Sequence, residues 1–194
     1  MQDFQAFTVK YSGRTNVLQS EVAISAAFDP TIVVKVNRPQ SVKAMAIWDT
    51  GASCSVISKN LAQKIGLVPS GKTTITGVNH TTLENTYLVN VYLPNNVCAG
   101  YIRIAEVPAL SGGADVLIGM DIIGEGDFSL YLENGCSVMS YRLPSIGGTD
   151  YVVLAGNINN QQALRQKIMN EKSNLSRMNR AKAMHKRRSK KKKN

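Results

Sequence analysis

The chain has 194 residues, 43% of them hydrophobic and 19% charged, with a formal net charge of +10. That length and apolar content exclude wholesale disorder and suffice for one well-packed domain with some chain left over. The charge is also unevenly placed. Residues 160–194 hold 13 Lys/Arg against one acid, Glu171, while residues 1–159 hold 10 against 12 acids, so a uniformly basic nucleic-acid-binding body is excluded.

In chain order, residues 1–14 read as an N-terminal segment. Residues 15–156 read as a β-rich domain, and 157–194 as a basic tail, helical or disordered. Alternation between Thr15 and Phe28 (Val17, Gln19, Glu21, Ala23) predicts a strand. The β-branched run Thr31–Val36 predicts a second, and Ala44–Trp48 has the length of a buried one. One clear helix follows. Ser58 is suited to its N-cap, Leu61, Ala62 and Ile65 share a face, and Gly66 ends it. Further strands are expected at Thr73–Thr76, Tyr87–Leu93, Tyr101–Val107, Val116–Ile118, Phe128–Leu132 and Ser137–Leu143, separated by Pro/Asn- and Gly-rich turns. Many short strands with one helix predict a small closed or folded-over β structure.

Cys54, Cys98 and Cys136 are widely spaced and form no CxxC pair. They read as small buried hydrophobes in a reducing compartment rather than as a disulfide framework or zinc site. Neither a leader pattern nor an apolar run near the ~20 residues of a membrane span is visible, so a soluble, cytoplasmic protein is expected.

The informative run is Ala46-Ile47-Trp48-Asp49-Thr50-Gly51-Ala52-Ser53. A carboxylate ending a buried strand is costly to desolvate unless something there uses it. Glycine two residues later permits a tight turn and close backbone approach. Alone, Asp-Thr-Gly is a weak signal. About 70 residues on, Ala114-Asp115-Val116-Leu117-Ile118-Gly119-Met120-Asp121 is a second apolar strand ending at glycine. Between them, Thr73–Thr82 is a polar, glycine-containing hairpin candidate.

In this order and spacing, the motifs resemble the retropepsin-like single-domain aspartic peptidases, over roughly residues 15–145. The resemblance implies a mainly β acid-protease barrel with one short helix and a basic C-terminal extension. Asp49 would be the catalytic carboxylate, with Thr50 bracing the site across to a partner's loop and Gly51 meeting substrate backbone. Ser53 would support the loop and contact substrate. Gly119, with Ala52 and Ile118, would form the structural support behind it. Gly77, Val78 and Asn79 would lie at the tip of a flap closing over peptide, with His80 a solvated flap residue. The chemistry it implies requires no metal or other cofactor. Two departures stand out. The flap is less glycine-rich than in viral members, and Met120-Asp121 stands where those members commonly carry an arginine. Ala52, lacking a hydroxyl, points to a milder pH optimum.

The chemistry needs two carboxylates, and Asp49-Thr50-Gly51 occurs once with no internal duplication. A homodimer with one Asp49 from each copy is the economical answer. Segments near Thr8–Tyr11 and Ser137–Leu143 are expected to knit its interface. Asp115, Asp121, Glu125 and Asp127 form a loose acidic group, read as turn and helix-start residues rather than a metal site.

In the tail, Leu164, Ile168, Leu175 and Met178 recur near heptad spacing, interrupted by Glu171. Lys186, Arg187, Arg188, Lys190, Lys191, Lys192 and Lys193 offer a polyanion-binding run without an aromatic to stack on bases. The run reads first as a solvated extension, then as such a tether, and after these as a targeting signal. Three functional readings remain open from sequence: a homodimeric aspartic endopeptidase, a non-cleaving peptide-binding scaffold tethered to nucleic acid by the tail, and a protease domain cut from a polyprotein.

Overall fold

The computed structural model describes residues 4–29, 32, 38–76, 81–94 and 97–191, the side chains of 181–191 excepted. The strand expected at 31–36, Ile32 aside, and the flap tip at Gly77, Val78, Asn79 and His80 lie outside the described residues, as do Lys192 and Lys193. The chain divides into two units, Met1–Gly148 and Thr149–Asn194.

The first unit is mainly β, with β1 at Gln5–Lys10, β2 at Leu18–Ala26, β3 at Val42–Trp48 and β4 at Val56–Ser58. After helix α1 (Lys59–Ile65) come β5 (Gly71–Thr76), β6 (Thr81–Tyr92), β7 (Cys98–Val107) and β8 (Val116–Ile118). A short α2 (Met120–Ile123) leads to β9 (Asp127–Glu133) and β10 (Cys136–Leu143). Strands β2-β3-β8-β4-β7-β6 are hydrogen-bonded in that order, and β6 returns to β2, closing a six-stranded barrel. The 12-residue β6 serves two partners. Its second half pairs with β2, while its first half forms a hairpin with β5.

Period-2 patterning explains the barrel. On β3, Ala44, Ala46 and Trp48 are buried while Lys43 and Met45 are exposed. Ile24, Val89, Val91, Ile104, Val116 and Ile118 fill the interior from the other strands. Helix α1 has the predicted ends. The Ser58 hydroxyl accepts from the Leu61 N–H at 3.2 Å, and Gly66 caps the other end in the left-handed region (φ 74°).

A separate three-stranded sheet has the order β1-β10-β9. Residues 5–10, expected to lie ahead of the domain, are thus one of its strands, with Phe7 opposite Tyr141 and Val9 opposite Met139. The expected interface segments pair with each other within one chain. The strand at residues 5–10 was missed because edge residues such as Gln5, Ala6, Thr8 and Lys10 are exposed, leaving a faint apolar signal.

The second unit holds α3 (Tyr151–Lys191), a helix of 41 residues. It begins six residues before the expected tail boundary, so Tyr151–Ala155 forms its first turn. Among the described residues, no helix is long and apolar enough to cross a membrane.

Candidate active site

Strand β8 threads between β3 and β4, parallel to the first and antiparallel to the second. The loop from β3 to β4 carries Asp49 through Ser55 and therefore wraps the end of β8. The Asp49 N–H donates to the Ile118 carbonyl at 2.9 Å, and the Met120 N–H donates to the Ala52 carbonyl at 2.8 Å. Two motifs about 70 residues apart in sequence are clasped at both ends of one turn. Gly119 sits where the chains cross. A Cβ there would stand 2.6 Å from the Cys54 carbonyl carbon and 2.7 Å from its oxygen, a clash with backbone that cannot swing away.

Asp49 is half-buried, with Thr50 and Gly51 exposed beside it. The Gly51 N–H donates to Asp49 Oδ1 at 2.8 Å, fixing the rotamer of the carboxylate. A Cβ on Gly51 would lie 3.2 Å from that same oxygen, so the glycine leaves the carboxylate its position.

Loop support comes from a residue that sequence reasoning missed. Ser53 is exposed, whereas Ser55 is buried. The Ser55 hydroxyl donates to Asp121 Oδ1 at 2.7 Å and accepts the Gly119 N–H at 3.0 Å, while the Ser55 N–H donates to Asp121 Oδ2 at 2.9 Å. One carboxylate thus ties both halves of the clasp. Its signal was a serine two residues past Ser53 and an acid just after Gly119. Asp115 accepts from the Ser58 hydroxyl at 3.0 Å, and Asp127 pairs with Arg142. The acidic residues are therefore spread over separate local roles, and no group of three or more metal-ligand side chains occurs among the described residues.

Trp48 anchors the strand that delivers Asp49. Its indole N–H donates to the Ser20 hydroxyl at 2.9 Å. Its ring stacks on Phe128 (centroids 6.0 Å apart) and meets Tyr141 at 5.2 Å and Phe7 at 5.7 Å. Such pairs add roughly 0.5–1.5 kcal/mol each beyond burial. The cluster joins β3 to all three strands of the second sheet. The Tyr141 hydroxyl donates to the Ile122 carbonyl at 2.5 Å, and burial, then the Glu125 and Asp127 carboxylates, raise the phenol well above its ordinary range.

Two cavities flank the loop. One, of about 550 Å³, lies between Gly51–Cys54 and the β5 strand of the hairpin, Thr73–Thr76. The other, of about 390 Å³, is lined by Asp49, Thr50, Val17 and Leu130. Leu110 and Leu117 line both. At the hairpin's base the Tyr87 hydroxyl donates to the buried Glu106 carboxylate. Burial and then that carboxylate push the Tyr87 phenol up to about 12. The cysteines differ from expectation. Cys54 and Cys98 are exposed and Cys136 is half-buried; Cys54 has its backbone against Gly119 and lines the larger cavity.

Residues 32–125 match the sequence model of the family described as "gag-polyprotein putative aspartyl protease". The matched span contains both motifs and the clasp between them. Over those residues the chain is similar to that family. Solved structures similar to the chain include a retropepsin-like aspartic protease from Rickettsia conorii. It is 15% identical over 73% of this chain and 97% of that one, with a TM-score of 0.43. The retroviral protease-like domain of Ddi1 from Leishmania major is 17% identical over 64% of this chain and 88% of that one, TM-score 0.38. A foamy viral protease-reverse transcriptase in complex with an RNA/DNA hybrid is 18% identical, covering 54% of this chain and 11% of that one, TM-score 0.35. No curated protein matches the sequence.

Proposed function

We propose that the protein is an aspartic endopeptidase acting as a homodimer, with one Asp49 from each copy. The observation that carries this reading is the Asp49 carboxylate itself. It is oriented by the Gly51 N–H, backed by the β8 clasp, and left at the edge of an open cavity beside an exposed Thr50. A purely structural carboxylate at the end of a buried strand would be enclosed by its partners, whereas this one is held by the Gly51 N–H and lines a cavity.

Two such carboxylates brought face to face share one proton, because like charges that close resist joint ionisation. The ionised Asp49 takes a proton from water as the water oxygen attacks the peptide carbonyl carbon. The protonated Asp49 of the other copy gives its proton to the carbonyl oxygen, forming a neutral diol. Collapse of the diol returns a hydroxyl proton, the amide nitrogen gains one, and the C–N bond breaks. Thr50 of each copy would bridge to the opposite loop. The β5–β6 hairpin would act as the flap, with Gly77, Val78 and Asn79 reaching over an extended peptide in the larger cavity, and Ser53 at its wall.

The basic end of the chain adds a second contact. Lys186, Arg187, Arg188, Lys190, Lys191, Lys192 and Lys193 would hold a polyanion such as nucleic acid through phosphate charge. Affinity would then fall steeply with salt and show little sequence preference. A filter-binding series from about 50 to 200 mM salt tests this, and salt-insensitive or strongly sequence-selective binding argues against it.

Cleavage of a diverse peptide library from roughly pH 4 to 8, wild type against Asp49→Asn, tests the catalytic reading. Cleavage by wild type and its loss in a variant that stays folded and dimeric are expected. Full activity in Asp49→Asn would overturn the assignment. Absence of cleavage by both dimeric proteins would favour a non-cleaving peptide-binding scaffold.

A further inference from the structure

We propose that helix α3, from Arg165 onward, binds double-stranded DNA in its major groove without reading sequence. This rests on the polyanion reading above, widens the site beyond the terminal basic run and names the partner.

Charge divides α3 into two parts. Tyr151 to Leu164 holds no charged residue, whereas Arg165 to Lys191 holds eleven Lys/Arg and one acid, Glu171. At about 1.5 Å per residue the charged part is a rod about 40 Å long. Every residue from Tyr151 to Arg180 is exposed, so none of the described residues covers that charge. Like charges also recur at helical spacing. Arg177 stands three residues before Arg180, and Lys182, Lys186 and Lys190 follow one another four apart. Such pairs work against a lone helix in water, and a polyanion laid along it removes the penalty.

The residues of α3 also sort by face. Arg165, Lys172 and Arg180 are seven and eight positions apart, close to whole turns, and form one row. Ser173, Ser176 and Asn179 lie beside it, short hydrogen-bonding groups of the kind that contact phosphate. Leu164, Ile168, Leu175 and Met178 fall on a different face, and Glu171 stands in their middle. That break leaves no continuous apolar strip to sink among lipid headgroups, so an anionic bilayer fits α3 poorly.

Three features select duplex DNA among nucleic acids. First, no Phe, Tyr or Trp follows Tyr151, which stands in the uncharged part. Binders of single strands add base stacking on aromatic rings to backbone charge, and the charged part of α3 has none of these to offer. Second, a DNA duplex carries one charge per about 1.7 Å of its axis, twice the density of either strand, which suits a rod that holds its partner by charge. Third, an α-helix with its side chains is about 10–12 Å across and fits the B-form major groove, about 12 Å wide. Double-stranded RNA has a deep, narrow major groove that side chains do not read.

The test uses the full chain and three probes of about 20 nucleotides or base pairs: a mixed-sequence DNA duplex, one of its strands, and the same duplex as RNA. Fluorescence anisotropy from about 50 to 200 mM salt should give duplex DNA at least about tenfold tighter binding than either alternative, and equal binding to a scrambled duplex. Replacing Arg165, Lys172, Arg177 and Arg180 together by Gln, with the terminal run intact, should cost at least about tenfold in affinity. It should also make the salt slope shallower by about 3–4, near 0.9 per lost contact. Ser173→Pro keeps every charge but breaks the helix, and should cut the preference for duplex over single strand to below about threefold. If either variant misfolds, the order of the three probes on the wild type decides. Unchanged binding by the four-Gln variant, or tighter binding of the single strand or the RNA, would overturn the α3 site and leave the polyanion reading standing. Binding to none of the probes would overturn both.

Discussion

The two sides of the Asp49 loop are built differently. Behind the loop, Ile118, Gly119, Met120 and Asp121 hold it by backbone bonds, a glycine crossing and the buried Ser55 hydroxyl. In front, Thr50, Gly51 and Ser53 are exposed, and Leu130, which lines the smaller cavity, is 51% exposed. The rear is finished by the chain's own residues and the front is not. On the two-copy reading such a site is rigid before its second half arrives, so little ordering cost remains at association.

That contrast can be broken from the rear first. Gly119→Ala should cost about 3 kcal/mol or more in urea unfolding, because the methyl meets the Cys54 backbone, and peptide cleavage should vanish with it. A variant as stable as wild type would mean that the crossing is looser than its contacts indicate. Asp121→Ala strands the Ser55 hydroxyl and N–H and should cost about 1–3 kcal/mol, with Asp121→Asn recovering part of it in the same assay.

Changes at the front should leave folding alone. Thr50→Val should shift stability by less than about 0.5 kcal/mol yet weaken dimerisation about tenfold by sedimentation. Equal loss of both would show that Thr50 belongs to the rear.

Titration separates regions away from the loop. The Tyr87 phenol is raised from 10.0 to about 12, so its contribution is complete below pH 10 and is lost as pH climbs to 12. Tyr87→Phe should flatten the alkaline limb of a thermal-melt series. Asp127 behaves oppositely. Hydrogen bonds from the Ser145 hydroxyl and the Ile146 N–H, then Arg142, hold its carboxyl well below the ordinary 3.8, so its contribution is present above that pH and lost below it. Asp127→Asn should remove that acid-side slope. The smallest effect belongs to Cys54→Ser, an exposed side chain whose change should leave the melting temperature within about a degree.

Much of the barrel was legible because its strands are short, β-branched and separated by turn residues. Val116–Ile118 was read with its observed ends, and α1 was marked by Ser58 and Gly66. The Asp49 loop stood out in sequence only through the second apolar strand about 70 residues on, since Asp-Thr-Gly alone is a weak signal. The Ser55–Asp121 brace was not, since the two lie 66 positions apart and neither residue is unusual in its own neighbourhood. Strand β1 was faint because its outer face is polar. The exposed cysteines were misread because cysteine's usual burial is an average over proteins, and Cys54's place is dictated by the glycine crossing beneath it.

The threading of β8 also orders events in time. Asp49 lies early in the chain, but the strand that seats it is not made until residue 118, and the pairing between them is long-range. A nascent chain that has emerged only as far as the β5–β6 hairpin carries the acid and the cavity wall without the clasp that orients them. Such non-local closure is slow relative to hairpin formation. The turn that carries Asp49 is therefore among the last parts of the domain to be seated, however early its residues leave the ribosome.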